Sequence, residues 1–310
     1  MSSNPLTETA VTLGRAYVRR APGSLLKGAL AARLLNPRLR DHPRRRVVDV
    51  GSGARFAVDT QDLIQRYLYL FGAWEPHMTH WLRARLRPGD VMVDVGANIG
   101  VFAVLGSRLV GRTGRVVAVE ASPAFHSRLV QHAALNDCAN IRALNAAVSD
   151  TRKTLTFVLA SSHNMGANSI VPYEGPAESR FETEALPLTE LLEPDEVSRA
   201  RVIKIDVEGA EGAVVRGLAP LLDRLRPDAE LAVEVTPDRM AQLGDSVEEL
   251  METMRKAGFH AYRLPTDYAA AHYPRALRRP ASPVRLRQPV EGETELVFSR
   301  VDREELSSPR

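Results

Sequence analysis

The stretch from residue 91 to residue 120 constrains the fold more than any other part of the chain. It reads VMVDV, an apolar run typical of a buried strand, then the turn GANIG, then VFAVLGSRLV, whose apolar positions fit a mostly buried helix. A second apolar run, RVVAVE, follows and closes on Glu120. A strand, a glycine-rich turn, a helix and a strand ending in an acid form the pattern of a cofactor-binding βαβ unit. The stretch therefore predicts an α/β domain with a ligand at this turn.

A similar phrase, VVDVGSG at 47–53, continues in a different way. After Gly53 the chain reads ARFAVD, in which Phe56 and Val58 alternate with Ala57 and Asp59, and this is the period of a strand. Residues 46–59 are therefore predicted to form a β-hairpin. Its glycines allow positive φ angles in a tight turn and need no ligand.

Strands and helices alternate along the rest of the chain. We expect a helix at 123–136 and strands at 140–148, 202–206, 229–235, 258–264 and 294–300, with the last two as a candidate hairpin. This alternation predicts a doubly wound, Rossmann-like, mostly parallel seven-stranded sheet. The predicted organisation is a basic helical extension at 1–45, a hairpin and helix at 46–86, and a cofactor-binding domain at 87–310 with an inserted loop at 151–185.

The spacing of the turn narrows its ligand. Gly96 and Gly100, with Asn98 between them, match neither the dinucleotide pattern G-x-G-x-x-G nor a phosphate loop. Asp94 would repel a phosphate but suits a cationic amino group, and Glu120 can accept hydrogen bonds from a ribose diol. A ligand with a ribose and a cationic amino acid but no phosphate is S-adenosylmethionine. The alternative is a purely structural strand–helix turn.

Further candidates surround this turn. The predicted cofactor contacts also include Ala97, Ala121 and, on the adenine side after the third strand, Ala147 and Val148. Asp206 ends a central strand at the edge where ligands bind, so it is predicted to be the catalytic base or to orient the base. His163, in the inserted loop, is the second candidate, because histidine can accept a proton near neutral pH. The alternative for His163 is an ordinary surface histidine.

Four acids are expected at one edge of the sheet, namely Asp94, Glu120, Asp206 and Glu234. Asp206 with Glu208, Glu211 or Glu234 could hold Mg²⁺ through oxygen ligands, although no spacing demands a metal. Glu208 and Glu211 could instead stabilise a helix N-terminus.

Charge and composition leave several properties open. Residues 1–46 contain ten Lys or Arg against two acids, and Arg275, Arg278, Arg279, Arg285 and Arg287 form a second basic group. These groups could attract nucleic acid, but the chain contains no recognisable RNA-binding module, so we expect no nucleic-acid partner. The N-terminal extension could cover the substrate entrance, pair with a second subunit or touch a membrane surface. A lone Cys138, no apolar span and no secretory signal predict a cytoplasmic protein.

The sequence resembles the FkbM family of class I S-adenosylmethionine-dependent methyltransferases. The matching stretches are FGAWEP at 71–76, RPGDVMVDVGANIGVF at 87–102, GRVVAVEASP at 114–123, NAAVSD at 145–150 and IKIDVEGAE at 203–211. The resemblance implies methylation of a hydroxyl on a sugar, polyketide or other specialised metabolite. It also places Glu75 in the cofactor and active-site region, with the residues of the turn. Ser122 stands where many members have proline. The alternatives are a nucleic-acid-modifying protein and a non-catalytic scaffold.

Overall fold

The computed structural model describes residues 5–23, 26–159, 168–169 and 179–307. These residues fall into two compact units. One contains the described residues up to Thr79 together with Thr266–Ala281, and the other contains the remaining described residues. His163 lies outside the described residues. The predicted three-segment organisation is not decided by these units and stays a prediction.

Helices and strands are numbered in chain order. The helices are α1 Pro5–Arg20, α2 Lys27–Leu30, α3 Asn36–Asp41, α4 Leu63–Phe71, α5 Pro76–Arg85, α6 Val101–Val110, α7 Pro123–Leu135, α8 Leu188–Leu191, α9 Pro194–Arg199, α10 Glu211–Leu218, α11 Pro237–Gln242, α12 Val247–Lys256 and α13 Tyr273–Arg278, with a π-helical turn at Ala31–Leu35 and a 3₁₀ segment at Ala219–Arg224. The strands are β1 Arg45–Asp49, β2 Arg55–Asp59, β3 Val91–Val95, β4 Arg115–Glu120, β5 Ile141–Asn145, β6 Ala147–Val148, β7 Lys153–Leu159, β8 Asn168–Ser169, β9 Ser179–Leu186, β10 Ala200–Ile205, β11 Glu230–Val235, β12 His260–Leu264, β13 Val284–Arg285 and β14 Thr294–Ser299.

The first unit contains the predicted hairpin and an aromatic core. β1 and β2 pair antiparallel, with Arg45 opposite Asp59, which confirms the interpretation of residues 46–59 as a hairpin. Tyr67 packs edge-on against Tyr273 at a ring separation of 4.8 Å, and Phe71 lies 4.6 Å from the same ring. The turn at 51–53 therefore belongs to a hairpin and not to a cofactor-binding βαβ unit.

The leucines of the N-terminal helices differ in burial. Leu35 is buried, but Leu26 and Leu34 are 68% and 63% exposed. Some of the arginines are structural, since Arg15 donates to the carbonyl of Tyr69 and the buried Arg44 pairs with Glu8. No helix in the described part of the chain has the length and apolar character needed to cross a membrane.

The second unit is built on an eight-stranded sheet. Its strand order is β13-β12-β14-β11-β10-β3-β4-β5, in which β11, β10, β3, β4 and β5 run parallel and β14 runs antiparallel to both of its neighbours. This confirms the predicted Rossmann-like, mostly parallel fold and the antiparallel pairing of the last two long strands. The strand count of seven is exceeded by one, because the short β13 adds to the edge of β12.

Alternate residues of the central strands face different layers. Val93, Val95, Ile203 and Ile205 share a buried cluster with α10, α12 and β14. The intervening residues point to the opposite face, where α6 packs so closely that a Cβ at Gly106 would lie 2.5 Å from the Sδ of Met92. Asp94 and Lys204 are register partners on this second face.

Residues 140–186 depart from the prediction. The expected third strand divides after Asn145, and β6 leaves the main sheet for a second one with the order β6-β9-β7-β8. β7 and β9 pair antiparallel over seven residue pairs. Much of the segment predicted as a loop is therefore sheet, and Phe157 stacks on Phe181 at 5.1 Å across this pairing.

Candidate functional site

The turn after β3 is held by the neighbouring strand. The backbone N–H groups of Gly96 and Ala97 both donate to the carbonyl of Val119, at 2.9 and 3.0 Å, and Gly100 N–H donates to the carbonyl of Ala97 at 2.8 Å. His132, buried on α7, contacts the carbonyl of Ile99 through Nδ1 at 2.8 Å, so this nitrogen carries a hydrogen. The turn therefore has one defined conformation without a ligand.

Both glycines of the turn are required by contacts within the protein. Gly96 has a φ of +81°, and a Cβ there would lie 1.8 Å from the carbonyl oxygen of Asp206. Gly100 has a φ of +86°, and its Cβ would lie 2.8 Å from Leu129 Cδ1. The close approach at Gly96 brings the chain after β10 directly against the turn after β3.

Glu120 joins the turn to the helix that follows β4. Its Oε2 accepts the N–H of Asn98 and its Oε1 accepts the N–H of Ser122, both at 2.8 Å. Burial raises the pKa of Glu120 to about 7, although these two backbone N–H groups favour the charged form. Each oxygen keeps a second lone pair, so a ribose hydroxyl can still be bound.

Ser122 has two structural roles at the start of α7. Its hydroxyl caps α7 by accepting from Phe125 N–H, and Pro123 occupies the first turn of the helix. A proline at 122 would have no N–H to donate to Glu120.

Asp94 is the acid of the site whose hydrogen-bonding capacity the protein uses least. It is 1% exposed, and neither carboxylate oxygen makes a hydrogen bond of normal geometry within the described residues. Burial raises the pKa of Asp94 to about 6, against the opposing effects of the Lys204 ammonium and the Ala103 N–H. A cationic group bound at this position would compensate the buried charge.

Asp206 follows β10 and lies beside this turn. Its N–H donates to the carbonyl of Val95 at 3.0 Å, and its Oδ2 accepts from Lys204 Nζ at 2.8 Å. Burial alone would raise the pKa of Asp206, but the Lys204 ammonium and a hydrogen bond with Glu234 outweigh burial, and the pKa is lowered. Asp206 is therefore an anion at neutral pH.

The other acids of the same loop are used within the protein. Glu211 begins α10 and accepts the N–H of Gly209 at 2.9 Å, and burial raises its pKa to about 7. Glu208 pairs with Arg239. In the described ranges, no group of three or more His, Cys, Asp or Glu side chains is arranged to hold a metal ion.

The predicted adenine-side residues lie in two different environments. Ala121 and Ala147 meet Phe157 and Ala185 in a small apolar cluster, whereas Val148 packs into the main core. Thr183 donates its hydroxyl hydrogen to the carbonyl of Ala121 at 2.9 Å. The second sheet thus fixes the chain after Glu120.

Glu75 belongs to the other unit. It has a φ of +39°, its N–H donates to the hydroxyl of Tyr273 at 2.8 Å, and its carboxylate accepts from the hydroxyl of Tyr268. These contacts involve residues of the same unit, so a role of Glu75 in cofactor binding stays a prediction.

Two charged residues of the site were not predicted from the sequence. Lys204 interrupts the apolar run VIKID, and Glu295 lies directly opposite Glu234 in the pairing of β14 with β11. A charged residue inside an otherwise apolar run was the available signal for Lys204, whereas Glu295 lies beside Thr294 near the start of its strand and gave no comparable signal.

Comparison with known sequences shows the family to which the second unit belongs. Residues 94–261, more than half of the chain, match the family described as "Methyltransferase FkbM domain". The methyltransferase sdnD of Sordaria araneosa is 30% identical over an alignment that covers 44% of this chain and 62% of sdnD. The hexuronic acid methyltransferase AglP of Haloferax volcanii is 28% identical, with 56% of this chain and 67% of AglP covered. The chain thus spans less than two thirds of the length of sdnD.

Solved structures with similar folds are distant in sequence. Methyltransferase FkbM from Methylobacillus flagellatus is 16% identical, with a TM-score of 0.37 over 76% of this chain and 52% of that one. TYW2 of M. jannaschii, solved in complex with AdoMet, is 13% identical, with a TM-score of 0.41 over 83% of this chain and 87% of that one.

Proposed function

Because the chain belongs to the FkbM methyltransferase family, we propose that it is an S-adenosylmethionine-dependent methyltransferase and that it methylates a hydroxyl of a small molecule such as a sugar, glycoside or polyketide. One observation carries the proposal: the cofactor turn and the anionic Asp206 lie against each other, so closely that position 96 has no room for a side chain. The description of AglP as a hexuronic acid methyltransferase supports a hydroxylated acceptor.

The residues of the turn fit the cofactor. Asp94 would bind the ammonium of its amino-acid part, because a buried carboxylate with no hydrogen bond of normal geometry gains most from a cation. Glu120 would hold the ribose through the lone pairs that Asn98 and Ser122 leave unused. When bound, S-adenosylmethionine supplies an electrophilic methyl group. Ala97, Ala121, Ala147 and Val148 complete the proposed cofactor contacts, and Glu75 is proposed from the family resemblance.

Asp206 would bind and orient the acceptor hydroxyl. Since its pKa is lowered, it is ionised at neutral pH but weakly basic, so it would take the proton only as the oxygen gains its methyl group and becomes acidic. A positioned base of this kind contributes about 10²- to 10⁴-fold to the rate. His163 stays the second candidate base.

The test is transfer of a tritium-labelled methyl group to a panel of hydroxylated acceptors that includes hexuronic acid glycosides. Asp206→Asn should lower kcat by about 100-fold or more, while affinity for S-adenosylhomocysteine by calorimetry changes less than about threefold. Asp195→Asn, at an exposed position on α9, is the matched control and should leave kcat unchanged. Unchanged kcat in Asp206→Asn, or a methylated nitrogen, carbon or RNA product, would contradict the proposal.

A further inference from the structure

Lys204 is a charged residue in the interior of the main sheet. It lies in β10 between the buried Ile203 and Ile205, and it is 2% exposed. Lysine is almost never fully buried unless its ammonium is compensated, because removing the charge from water is costly. The groups around Lys204 must therefore compensate the charge of its ammonium.

Three groups surround the Lys204 ammonium. Nζ donates to Asp206 Oδ2 at 2.8 Å and lies 5.1 Å from the centre of the Phe102 ring, within the range of a cation–π contact. Asp94 is its register partner on β3. The Lys204 side chain thus lies close to the end of β3, to α6 and to the proposed base Asp206.

Asp206 also has an acid as a hydrogen-bond partner. Glu234 on β11 hydrogen-bonds to Asp206, and Glu295 on β14 is the register partner of Glu234. Glu211 on α10 and Arg239 on α11 also act electrostatically on this region. Since carboxylate oxygens only accept hydrogen bonds, the contact between Glu234 and Asp206 holds one proton, and a nearby cation determines which carboxyl stays charged.

We propose that Lys204 is a positioning residue for methyl transfer: its buried ammonium keeps Asp206 anionic and fixes that carboxylate, so that the remaining acceptor positions are available to the substrate hydroxyl. The salt bridge uses one lone pair of Oδ2 and leaves others for a second donor. This inference rests on the proposed function, since it assigns the acceptor proton to Asp206.

Removal of the Lys204 ammonium should change the pKa of Asp206 in a predictable direction. Without Lys204, the largest effect that opposes the burial of Asp206 is lost, so the pKa of Asp206 rises. Asp206 then becomes neutral at a higher pH than in the wild type, and a neutral carboxyl cannot accept the proton. The loss should appear in kcat and be greater at low pH.

The experiment compares three variants with the wild type at saturating cofactor and acceptor. Lys204→Met removes the charge and retains most of the length, Lys204→Arg retains the charge, and Lys256→Met removes an exposed lysine on α12 as the matched control. In Lys204→Met the acid limb of kcat should move up by about one pH unit or more, which is about tenfold in activity on that limb, with acceptor KM within about threefold. Lys204→Arg should reverse at least part of the shift, and Lys256→Met should show none.

A direct titration provides a readout that does not depend on activity. In protein with ¹³C-labelled aspartate, the Asp206 carboxyl signal is assigned by its loss in Asp206→Asn. It should titrate about one unit or more higher in Lys204→Met than in the wild type. Calorimetry with S-adenosylhomocysteine at pH 8 shows that the variant is folded, and Lys204→Gln replaces Lys204→Met if it is not.

The outcomes separate the two proposals. If the wild type methylates a hydroxyl but Asp206 titrates identically with and without the Lys204 charge, the role of Lys204 is overturned and the proposed function stands. If the titration moves but the wild type methylates no hydroxyl, the proposed function fails, and the control of Asp206 by Lys204 is supported without it.

Discussion

The substitution Asp94→Asn should make the cofactor-free protein more stable and its cofactor complex weaker. The carboxylate is buried at the end of β3 without a hydrogen bond of normal geometry in the described part of the chain. A group with this environment costs free energy in the folded protein and returns it when a cation binds. The two effects of the substitution therefore have opposite signs.

The magnitude follows from the pKa of Asp94, which burial raises from 3.8 to about 6. Two pH units correspond to about 3 kcal/mol of folding free energy at pH values above 6, where the group is ionised in both states. Stability from this group is fully present below pH 3.8 and is lost as the pH rises through 6. Asparagine carries no charge, so Asp94→Asn removes this cost. It buries an amide without hydrogen-bond partners instead, which costs about 1–2 kcal/mol. The net expectation at pH 8 is a gain of about 1–2 kcal/mol.

Cofactor binding should change in the other direction. The ligand's ammonium loses a charge-assisted hydrogen bond worth about 1.5–3 kcal/mol, so the Kd for S-adenosylhomocysteine at pH 8 should rise roughly 10- to 100-fold. In the wild type the affinity should also fall as the pH drops below 6, because Asp94 becomes neutral. In Asp94→Asn this part of the pH dependence should disappear.

Urea unfolding at pH 8 and pH 5 measures the stability, and calorimetry with S-adenosylhomocysteine at both pH values measures the affinity. Asp223→Asn, at an exposed position, is the matched control and should change neither quantity. A variant that is less stable than the wild type at pH 8, or that binds S-adenosylhomocysteine equally well, would show that Asp94 is not the cation-binding group that we infer.

Two further predictions concern the turn and the helix after β4. Gly96→Ala should lower the free energy of unfolding by at least about 3 kcal/mol, since its Cβ would overlap the Asp206 carbonyl. Gly244→Ala is the control, because Gly244 has a φ of +80° but no atom within 4 Å of the new Cβ. In a urea titration it should cost only about 1 kcal/mol. Ser122→Pro should destabilise the protein by about 1 kcal/mol more than Ser122→Ala. Both variants lose the helix cap, but only proline loses the N–H that donates to Glu120. Equal thermal midpoints of the two variants would contradict this role of the N–H.

The parts of the fold that sequence analysis predicted correctly are those set by local periodicity. The strand at 91–95, its turn and its helix are adjacent in sequence, and the hairpin at 46–59 also needs only nearby residues. The stretch NIRALNAAV at 140–148 was predicted as one strand, and it contains no glycine or proline that would mark a break. It divides because β6 pairs with β9, whose residues lie almost forty positions further along the chain, and no local pattern identifies that partner.

The same distinction applies to the site. Asp94, Glu120 and Asp206 were found because each ends a predicted strand, and the carboxyl ends of parallel strands meet at one edge. Lys204 was missed because its importance depends on what lies opposite and beside it, namely Asp94 on β3 and Asp206 two residues later. A lysine within an apolar run should therefore be placed in its sheet before it is treated as a simple interruption.

The glycines and the acids of the turn have different physical explanations. Gly96 and Gly100 are fully explained by contacts with Asp206 and Leu129, so a glycine-rich turn alone gives no information about a ligand. Asp94 has no such internal explanation, because the protein buries its charge at a cost and supplies no hydrogen bond of normal geometry from the described residues. The case for a cationic ligand at this turn therefore depends on Asp94, and a measurement that finds no cost of its ionisation would remove the physical basis of that case while leaving the fold unchanged.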